Sequence, residues 1–305
     1  MNPIHLQTLL AVFDEGTFEG AADHLGITPS AVSQRIKALE QKAGRVLVRR
    51  GVPAIPTEAG EVLAQSARRM ALLQAETEQQ LSSHLASIPL SIAVNADSLA
   101  TWFPEVMTKV ANHDGLTLRM RIEDESQTLH LLRSGDVLGA ITRDSTPVTG
   151  CIVESLGTMD YYPCIAPGLL ARYTLEDLTP QQKKQMTVVE RIDWSQIPGL
   201  RFGRNDAIQG RALDRYCPKS KGFAAPVNEI PSSQAFLDAV RVGLGWGMLP
   251  EQQAAPLLKA GTVVLIDDYV DKVELYWQRW RLESRILEQL SAIVIEAAHA
   301  ALTTE

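Results

Sequence analysis

Apolar residues near the start of the chain recur every three or four positions, which is the spacing of one face of an α-helix. They form three short stripes: Leu6, Leu9, Leu10 and Phe13; then Phe18, Ala21, Ala22 and Leu25; then Val32, Ile36, Leu39 and Ala43. Gly16-Thr17 separates the first two stripes, and Gly26 lies where a helix commonly ends on a glycine. The pattern predicts three amphipathic helices joined by tight turns.

The third of these helices has a well-marked start and two different faces. Thr28 is a favoured N-cap residue, and Pro29 falls at the first helical position, where its missing N–H has no cost. Away from the apolar stripe, polar side chains follow the same helical spacing: Ser30, Ser33, Gln34 and Lys37. Such side chains can read base edges in a DNA major groove. An ordinary solvated helix face is the alternative explanation.

Positive charge surrounds this polar stripe, although the chain of 305 residues has a net charge of −7. Between residues 28 and 50 the only acidic residue is Glu40, and the basic residues are Arg35, Lys37, Lys42, Arg45, Arg49 and Arg50. A local patch is sufficient for phosphate contacts, because counterion release acts at short range. Three helices with such a third member are typical of a helix-turn-helix DNA-binding module. A short β-wing is predicted next, with Arg49 and Arg50 positioned for phosphates.

A long helix is predicted to begin after Thr57 and to continue to about Ala86. Its apolar side carries Ala59, Leu63, Ala67, Met70, Leu73, Thr77, Leu81 and Leu85. A helix of about 30 residues is roughly 45 Å long and would not persist without a surface to pack against. A second copy of the same helix in a dimer is the simplest covering. Packing on the chain's own C-terminal domain is the alternative.

From residue 89 onward, the pattern of short apolar strands alternating with amphipathic helices indicates an α/β domain. Predicted strands cover residues 90–94, 116–122, 137–141, 200–202, 227–230 and 273–280. Predicted helices cover residues 98–111, 126–134, 232–242 and 284–301. The glycines of Gly243-Leu244-Gly245-Trp246-Gly247 follow a helix and lead into a strand, so they indicate a turn and not a dinucleotide-binding loop. Trp277 and Trp280 are predicted to pack in the core or between the lobes, and stacking on a ligand is the alternative.

Polar residues follow three of these strands, where open α/β sheets bind their ligands. The candidate ligand-binding residues are Asn95, Asp97 and Ser98, Glu123 and Asp124, Thr142 and Arg143, and Ser232 from the second segment. Backbone N–H groups at the following helix starts could receive a ligand carboxylate. Plain helix capping is the alternative for Asp97, Glu123 and Asp124. The excess of acids over Arg143 favours a small cationic ligand.

Several motifs resemble one protein family. GTFEGAADHLGITPSAVSQRIKALEQKAGRVLVRR, followed by PTEAGEVLAQSA, is similar to the winged N-terminal domain of LysR-type transcriptional regulators. It departs from the usual pattern at Arg45-Val46-Leu47-Val48, where many members carry a Leu-Phe pair followed by Arg. The remainder resembles the periplasmic-binding-protein-like effector domain of the same family. NADSLATWF, GDVLGA and YWQRWRLES are similar to the LysG/ArgP branch, regulators of lysine and arginine export.

The resemblance implies an α+β chain with three parts. These are a winged helix-turn-helix DNA-binding domain (residues 1–58), a linker and dimerisation helix (59–88) and a two-lobed α/β effector-binding domain (89–305). Lobe I is expected at about 89–165 and 270–305, and lobe II at about 166–269. The expected DNA-binding residues are Thr28, Pro29, Ser30, Ser33, Gln34, Lys37, Arg49 and Arg50.

The resemblance also implies partners for the chain. These are double-stranded promoter DNA, RNA polymerase, and a second copy in a homodimer or, on DNA, a homotetramer. The implied effector is lysine or arginine, and the implied role is activation of an amino-acid exporter gene. A different small-molecule effector within the same regulator class is the alternative.

Two other classes of protein have less support. The sequence shows no nucleophile elbow, zincin motif or phosphate loop, so no catalytic residue and no cofactor are predicted. A solute-binding protein would need a secretion signal, and the first residues lack that pattern. The sequence therefore predicts a cytoplasmic protein without a membrane span.

Cys151, Cys164 and Cys217 form no Cys-x-x-Cys pair and are predicted to be core thiols. The histidines lack metal-site spacing, so no metal is predicted.

Overall fold

The computed structural model describes residues 1–81, 88–113, 116–122, 125–175, 179–217 and 226–303. The chain forms two compact units. The first contains Met1–Asn95, Val106–Glu154 and Tyr276–Glu296, and the second contains Ala96–Glu105, Ser155–Leu275 and Ala297–Glu305. Across the described ranges, no helix is both long enough and apolar enough to cross a membrane.

Three helices and a two-stranded wing form the N-terminal part of the first unit. They are α1 (Pro3–Glu15), α2 (Phe18–Leu25), α3 (Pro29–Ala43), β1 (Val48–Arg49) and β2 (Ile55–Pro56), and the two strands pair antiparallel. The side chains of Asn2, Thr17 and Thr28 cap the three helices by accepting hydrogen bonds from backbone N–H groups of the first turns. Gly26 ends α2 at φ 62°, a left-handed conformation that favours glycine. The predicted helix boundaries are confirmed.

The apolar stripes of these helices meet in one core. Leu9, Val12 and Val32 are fully buried in it. Leu47, just before β1, and Leu63 of the helix after the wing join them. Such clustering is what three amphipathic helices need to persist, because each is too short to be stable alone. The predicted stripes are therefore confirmed as the interior of the N-terminal region.

The helix α4 (Glu58–Leu81) follows the wing directly. Thr57 Oγ1 accepts a hydrogen bond from Gly60 N at 3.1 Å and fixes its first turn. A Cβ at Gly60 would lie 2.0 Å from Leu47 O, so only glycine allows this close approach of helix and wing. The prediction extends the helix to about residue 86, but residues 82–87 lie outside the described residues.

The remaining elements alternate strands with helices. The next part of the chain contains β3 (Ile88–Val94), α5 (Ala96–Ala100), α6 (Phe103–Ala111), β4 (Leu116–Ile122), α7 (Glu125–Ser134), β5 (Gly139–Thr142) and β6 (Cys151–Ile165). The part after it contains α8 (Pro167–Arg172), α9 (Pro180–Gln185), α10 (Val188–Arg191), β7 (Gly199–Arg201), α11 (Ala207–Tyr216), β8 (Val227–Glu229), α12 (Ser233–Val242), β9 (Gly247–Pro250), α13 (Glu251–Lys259), β10 (Val264–Leu265), β11 (Asp271–Trp280) and α14 (Arg285–Ala301). The predicted α+β class is confirmed.

In the first unit, β3 lies between β4 and β5 and is parallel to both. The last residues of β11 pair antiparallel with β5, from Tyr276 opposite Thr142 to Arg279 opposite Gly139. Trp277 of β11 is fully buried, and its Nε1 donates to Ser291 Oγ of α14 at 3.0 Å. The predicted core role of Trp277 and Trp280 is confirmed.

In the second unit, β6 pairs antiparallel with both β9 and β10, and β7 pairs parallel with β8. The helix α12 ends at Gly243 with φ 76°, and the turn after it leads into β9. This confirms that the glycine-rich stretch is a turn.

One predicted helix is wrong. The pattern indicates a continuous helix over residues 98–111, but the structure has two helices, α5 and α6, separated by Thr101 and Trp102. Pro104 lies in the first turn of α6, where its missing N–H is tolerated. A continuous helix would place the same proline ring against the preceding turn, so the chain restarts the helix instead.

Candidate DNA-binding and effector sites

The outer face of α3 is open to solvent. Of the predicted DNA-binding residues, Ser33 is half-buried and the others are exposed: Thr28, Pro29, Ser30, Gln34, Lys37, Arg49 and Arg50. The Thr28 and Ser30 hydroxyl oxygens lie 2.9 Å apart, so the cap and the first polar residue share a hydrogen bond. The opposite stripe of Val32, Ile36 and Leu39 is buried. The helix therefore exposes the predicted polar stripe to solvent, and its other face packs in the N-terminal core.

Glu40, the only acidic residue between positions 28 and 50, joins the wing to α3. Its Oε1 accepts from Leu47 N at 2.9 Å and from Val48 N at 3.4 Å. The wing that follows carries Arg49 and Arg50, and the Arg50 guanidinium lies 5.2 Å from the centre of the Phe18 ring. These contacts join the wing to α3 and place Arg50 against Phe18 of α2. Exposed arginines of this kind can contact backbone phosphates.

The first unit also joins α4 to the turn after α7. Arg68 of α4 donates to Asp14 of α1 at 2.9 Å and to Asp136 at 2.5 Å. Burial opposes the charge of Arg68, but hydrogen bonds and attraction to the two carboxylates outweigh it and raise the pKa of the guanidinium. Gly135 approaches so closely that its Cβ would lie 2.8 Å from Gln65 Cα. Arg68 therefore connects a helix of the DNA-binding region, the linker helix and the α/β region.

Further contacts along α4 continue this packing. The Arg69 guanidinium lies 3.5 Å from the Trp280 ring centre, and Glu76 accepts from Ser284 Oγ at 2.5 Å and Ile286 N at 3.1 Å. One face of α4 thus packs on its own chain, which is the alternative to dimer pairing that the sequence left open. Another face carries large apolar side chains that are exposed in this single chain, namely Val62, Met70, Leu73 and Leu81.

The loop that follows β5 is held by a buried amide. Thr142 is buried, and its Oγ1 accepts from Asp144 N at 3.1 Å. Gln278 is fully buried; its Nε2 donates to Asp144 O at 2.8 Å and Thr146 O at 3.0 Å, and its Oε1 accepts from Val148 N at 3.1 Å. The loop that follows Thr142 and begins with Arg143 is therefore held in place. Sequence reasoning missed Gln278, although a polar residue within an apolar strand pattern was a usable signal.

The second unit places Asp97 in a hydrogen-bond network. Its Oδ2 accepts from Tyr161 OH at 2.8 Å, and its Oδ1 accepts from Ser233 Oγ at 2.7 Å. Gln253 Nε2 donates to Ser233 Oγ at 3.2 Å. Tyr161 and Gln253 were missed from the sequence, because no short-range pattern connects residues so far apart along the chain.

The other predicted effector residues have various placements. Ser98 is fully buried, and Asn95 and Arg143 are half-buried. Ser232 is exposed and caps α12, with Ala235 N donating to its Oγ at 3.4 Å, whereas its neighbour Ser233 contacts Asp97. Glu123 and Asp124 lie outside the described residues.

Neither a metal-binding group nor a reactive cysteine lies in the part of the chain that the structure describes. No group of three or more His, Cys, Asp or Glu side chains there could hold a metal ion. Cys151, Cys164 and Cys217 are buried and unpaired by disulfides. Burial raises the pKa of Cys164 to about 12 and those of Cys151 and Cys217 to about 11, which makes the reactive thiolate scarce. The prediction of core thiols is confirmed.

A winged helix-turn-helix joined by a long helix to an α/β region defines a bacterial DNA-binding regulator with an effector domain. Residues 4–61 match the profile of the bacterial regulatory helix-turn-helix proteins of the LysR family, and residues 84–298 match the LysR substrate-binding domain. The chain therefore belongs to the LysR family of transcriptional regulators. It is a regulator and not an enzyme.

Full-length relatives show which branch of the family this chain resembles. It is 54% identical to the lysine export transcriptional regulatory protein LysG of Corynebacterium efficiens, over 100% of both chains. It is 52% identical to full-length LysG of Corynebacterium glutamicum with bound effector Arg, with a TM-score of 0.77 and 100% of both chains covered. ArgP of Mycobacterium tuberculosis shares 36% identity at a TM-score of 0.81, over 99% of this chain and 98% of that one. These relatives confirm the LysG/ArgP resemblance.

Proposed function

We propose that this chain binds promoter DNA through α3 and its wing and activates an amino-acid exporter gene in response to arginine or lysine. The observation that carries the DNA-binding role is the exposure of the polar stripe of α3 and of Arg49 and Arg50. The similarity to LysG with bound arginine supports the choice of effector. Its place of action is the cytoplasm, where promoter DNA lies.

In this proposal, Ser33 and Gln34 read bases, with Thr28, Pro29, Ser30 and Lys37 around them, and Arg49 and Arg50 hold phosphates. Replacing Gln34 with alanine should relax base specificity at one position of each half-site by about 1–3 kcal/mol, the usual value for a base contact. Replacing Arg49 with glutamine should weaken all sequences alike and lower the salt slope by about one. Selection of binding sites from random DNA, followed by titration at several salt concentrations, measures both effects.

Gln41→Ala is the matched control, because Gln41 is an exposed glutamine near the opposite end of the same helix. It should leave specificity and salt slope unchanged. If the double variant Ser33→Ala, Gln34→Ala keeps the selected sequence and its affinity, the base-reading assignment is refuted.

For the effector, we propose that Asp97 binds a positively charged group of arginine or lysine. Asn95, Ser98, Thr142, Arg143, Ser232, Glu123 and Asp124 remain proposed members of the site. Calorimetry with each of the twenty amino acids should show binding of arginine and lysine and none of glutamate. Asp97→Asn should weaken arginine binding by about 30-fold or more, because it removes one partner of a desolvated charge pair.

Asp268→Asn is the control for this measurement, since Asp268 is an exposed aspartate of the same unit. It should bind arginine like the wild type. Binding of acidic or aromatic amino acids alone would contradict the proposed effector class.

We also propose a homodimer through α4, further assembly into a homotetramer on DNA, and contact with RNA polymerase. The exposed side chains of Met70, Leu73 and Leu81 support the dimer, because apolar surface of this kind is normally covered by a partner. Light scattering should give at least twice the 33.4 kDa of one chain. A monomer at micromolar concentration would exclude this assembly.

A further inference from the structure

Two buried hydroxyl groups hold the two oxygens of the Asp97 carboxylate separately. Tyr161 OH donates to Oδ2 from β6, and Ser233 Oγ donates to Oδ1 from the first residue of α12. Tyr161 is 4% and Ser233 is 7% exposed, whereas Asp97 is half-buried. The least accessible groups thus support a more accessible carboxylate.

The direction of these hydrogen bonds is set by a third residue. Gln253 Nε2 donates to Ser233 Oγ at 3.2 Å, so the Ser233 oxygen accepts this bond and its own proton is directed to Asp97. Gln253 is itself 8% exposed and lies on α13. The chain of donors therefore runs from Gln253 through Ser233 to the carboxylate, and it fixes the plane of that carboxylate together with Tyr161.

The plane of a carboxylate matters differently for the two proposed effectors. A guanidinium group binds a carboxylate through two parallel N–H donors, so both oxygens must lie in the plane of the fork. An ammonium group is a compact charge with three rotatable donors, and it tolerates a rotated carboxylate. A fixed carboxylate plane therefore favours arginine over lysine.

We propose that Tyr161 and Ser233 are positioning residues that orient Asp97 for the guanidinium group of arginine and so determine the preference for arginine over lysine. This inference rests on the proposed role of Asp97 as the site of the cationic group. Neither hydroxyl needs to touch the effector, because each acts through the carboxylate that it holds.

Calorimetric titration of the full chain with arginine and with lysine tests this role. Tyr161→Phe and Ser233→Ala should each weaken arginine binding by about tenfold, as expected for loss of one hydrogen bond to a charged group, and lysine binding by less than about threefold. Ser233→Thr keeps the hydroxyl and should restore most of the arginine affinity. The ratio of the two affinities is the decisive quantity, because a general loss of structure would lower both.

Tyr162→Phe is the matched control. Tyr162 follows Tyr161 on the opposite face of β6 and packs against the apolar core that includes Leu249, so its substitution should leave the arginine-to-lysine ratio unchanged. Urea midpoints of all variants confirm that they are folded.

Failure of the wild type to bind either amino acid would refute the proposed effector. Wild-type binding with equal losses for both ligands, or with no loss, would overturn only the positioning role.

Discussion

Replacing Arg68 with methionine is expected to lower the free energy of unfolding by about 3 kcal/mol. Methionine retains much of the apolar stem but leaves the carboxylates of Asp14 and Asp136 without their shared cation. Breaking a buried ion pair from one side costs about 3–5 kcal/mol. The lower end applies here, because the two aspartate side chains keep 20% and 27% of their exposure and water screens part of the loss.

Urea denaturation at a fixed protein concentration measures this change, since the stability of an oligomer depends on concentration. Arg172→Met is the matched control, because Arg172 is an exposed arginine at the end of a helix, and its effect should stay within about 0.5 kcal/mol. Adding Asp136→Asn to Arg68→Met should recover part of the loss by removing one unpaired charge. An Arg68→Met midpoint equal to that of the wild type would show that the junction contributes nothing to stability.

Introducing glutamate at both Leu73 and Leu81 is expected to convert the proposed dimer to a monomer and to weaken binding to the selected DNA site by more than about 100-fold. Both side chains are large, apolar and exposed in the single chain, so in a dimer they would lie at the interface. Two glutamates there would have to be buried without an opposite charge, which opposes association. A dimer binds its second half-site intramolecularly, which raises affinity by about 10²–10⁴, and a monomer loses this gain.

Ala71→Glu is the control for added charge. Ala71 is exposed on the same helix and lies outside the apolar side predicted from the sequence. This control should remain a dimer by light scattering and bind DNA with at most a few-fold loss. A Leu73→Glu, Leu81→Glu protein that stays dimeric would place the dimer contact elsewhere.

Much of the N-terminal region could be predicted because its determinants are local. Caps such as Thr28, the glycine at position 26 and an apolar stripe repeating every three or four residues all act within a single helix and its neighbours. The same short-range rules gave the outer polar face of α3, and hence the candidate DNA-binding residues. They also failed where a local break was overlooked, since Pro104 divides the predicted helix of residues 98–111 into α5 and α6.

The candidate effector site could be predicted only in part. Asp97 follows a strand, so its position near the carboxyl end of β3 is readable from the sequence. Its partners were not readable, because Tyr161 and Ser233 lie 64 and 136 residues further along the chain. The pattern predicts the neighbouring Ser232 as a site residue, since it locates a helix start but does not tell which hydroxyl of that turn faces another element.

The sequence by itself determined the class of this protein. The helical periodicity, the caps and the local positive charge of residues 28–50 specify a DNA-binding domain that precedes an α/β domain. Only the tertiary structure decided how distant side chains combine. It brought Arg68 between Asp14 and Asp136, which lie 54 and 68 residues away, and it supplied Asp97 with two hydroxyl donors. Periodicity records which face of an element is buried, whereas the partner of a buried polar group depends on packing between elements that the chain brings together only on folding.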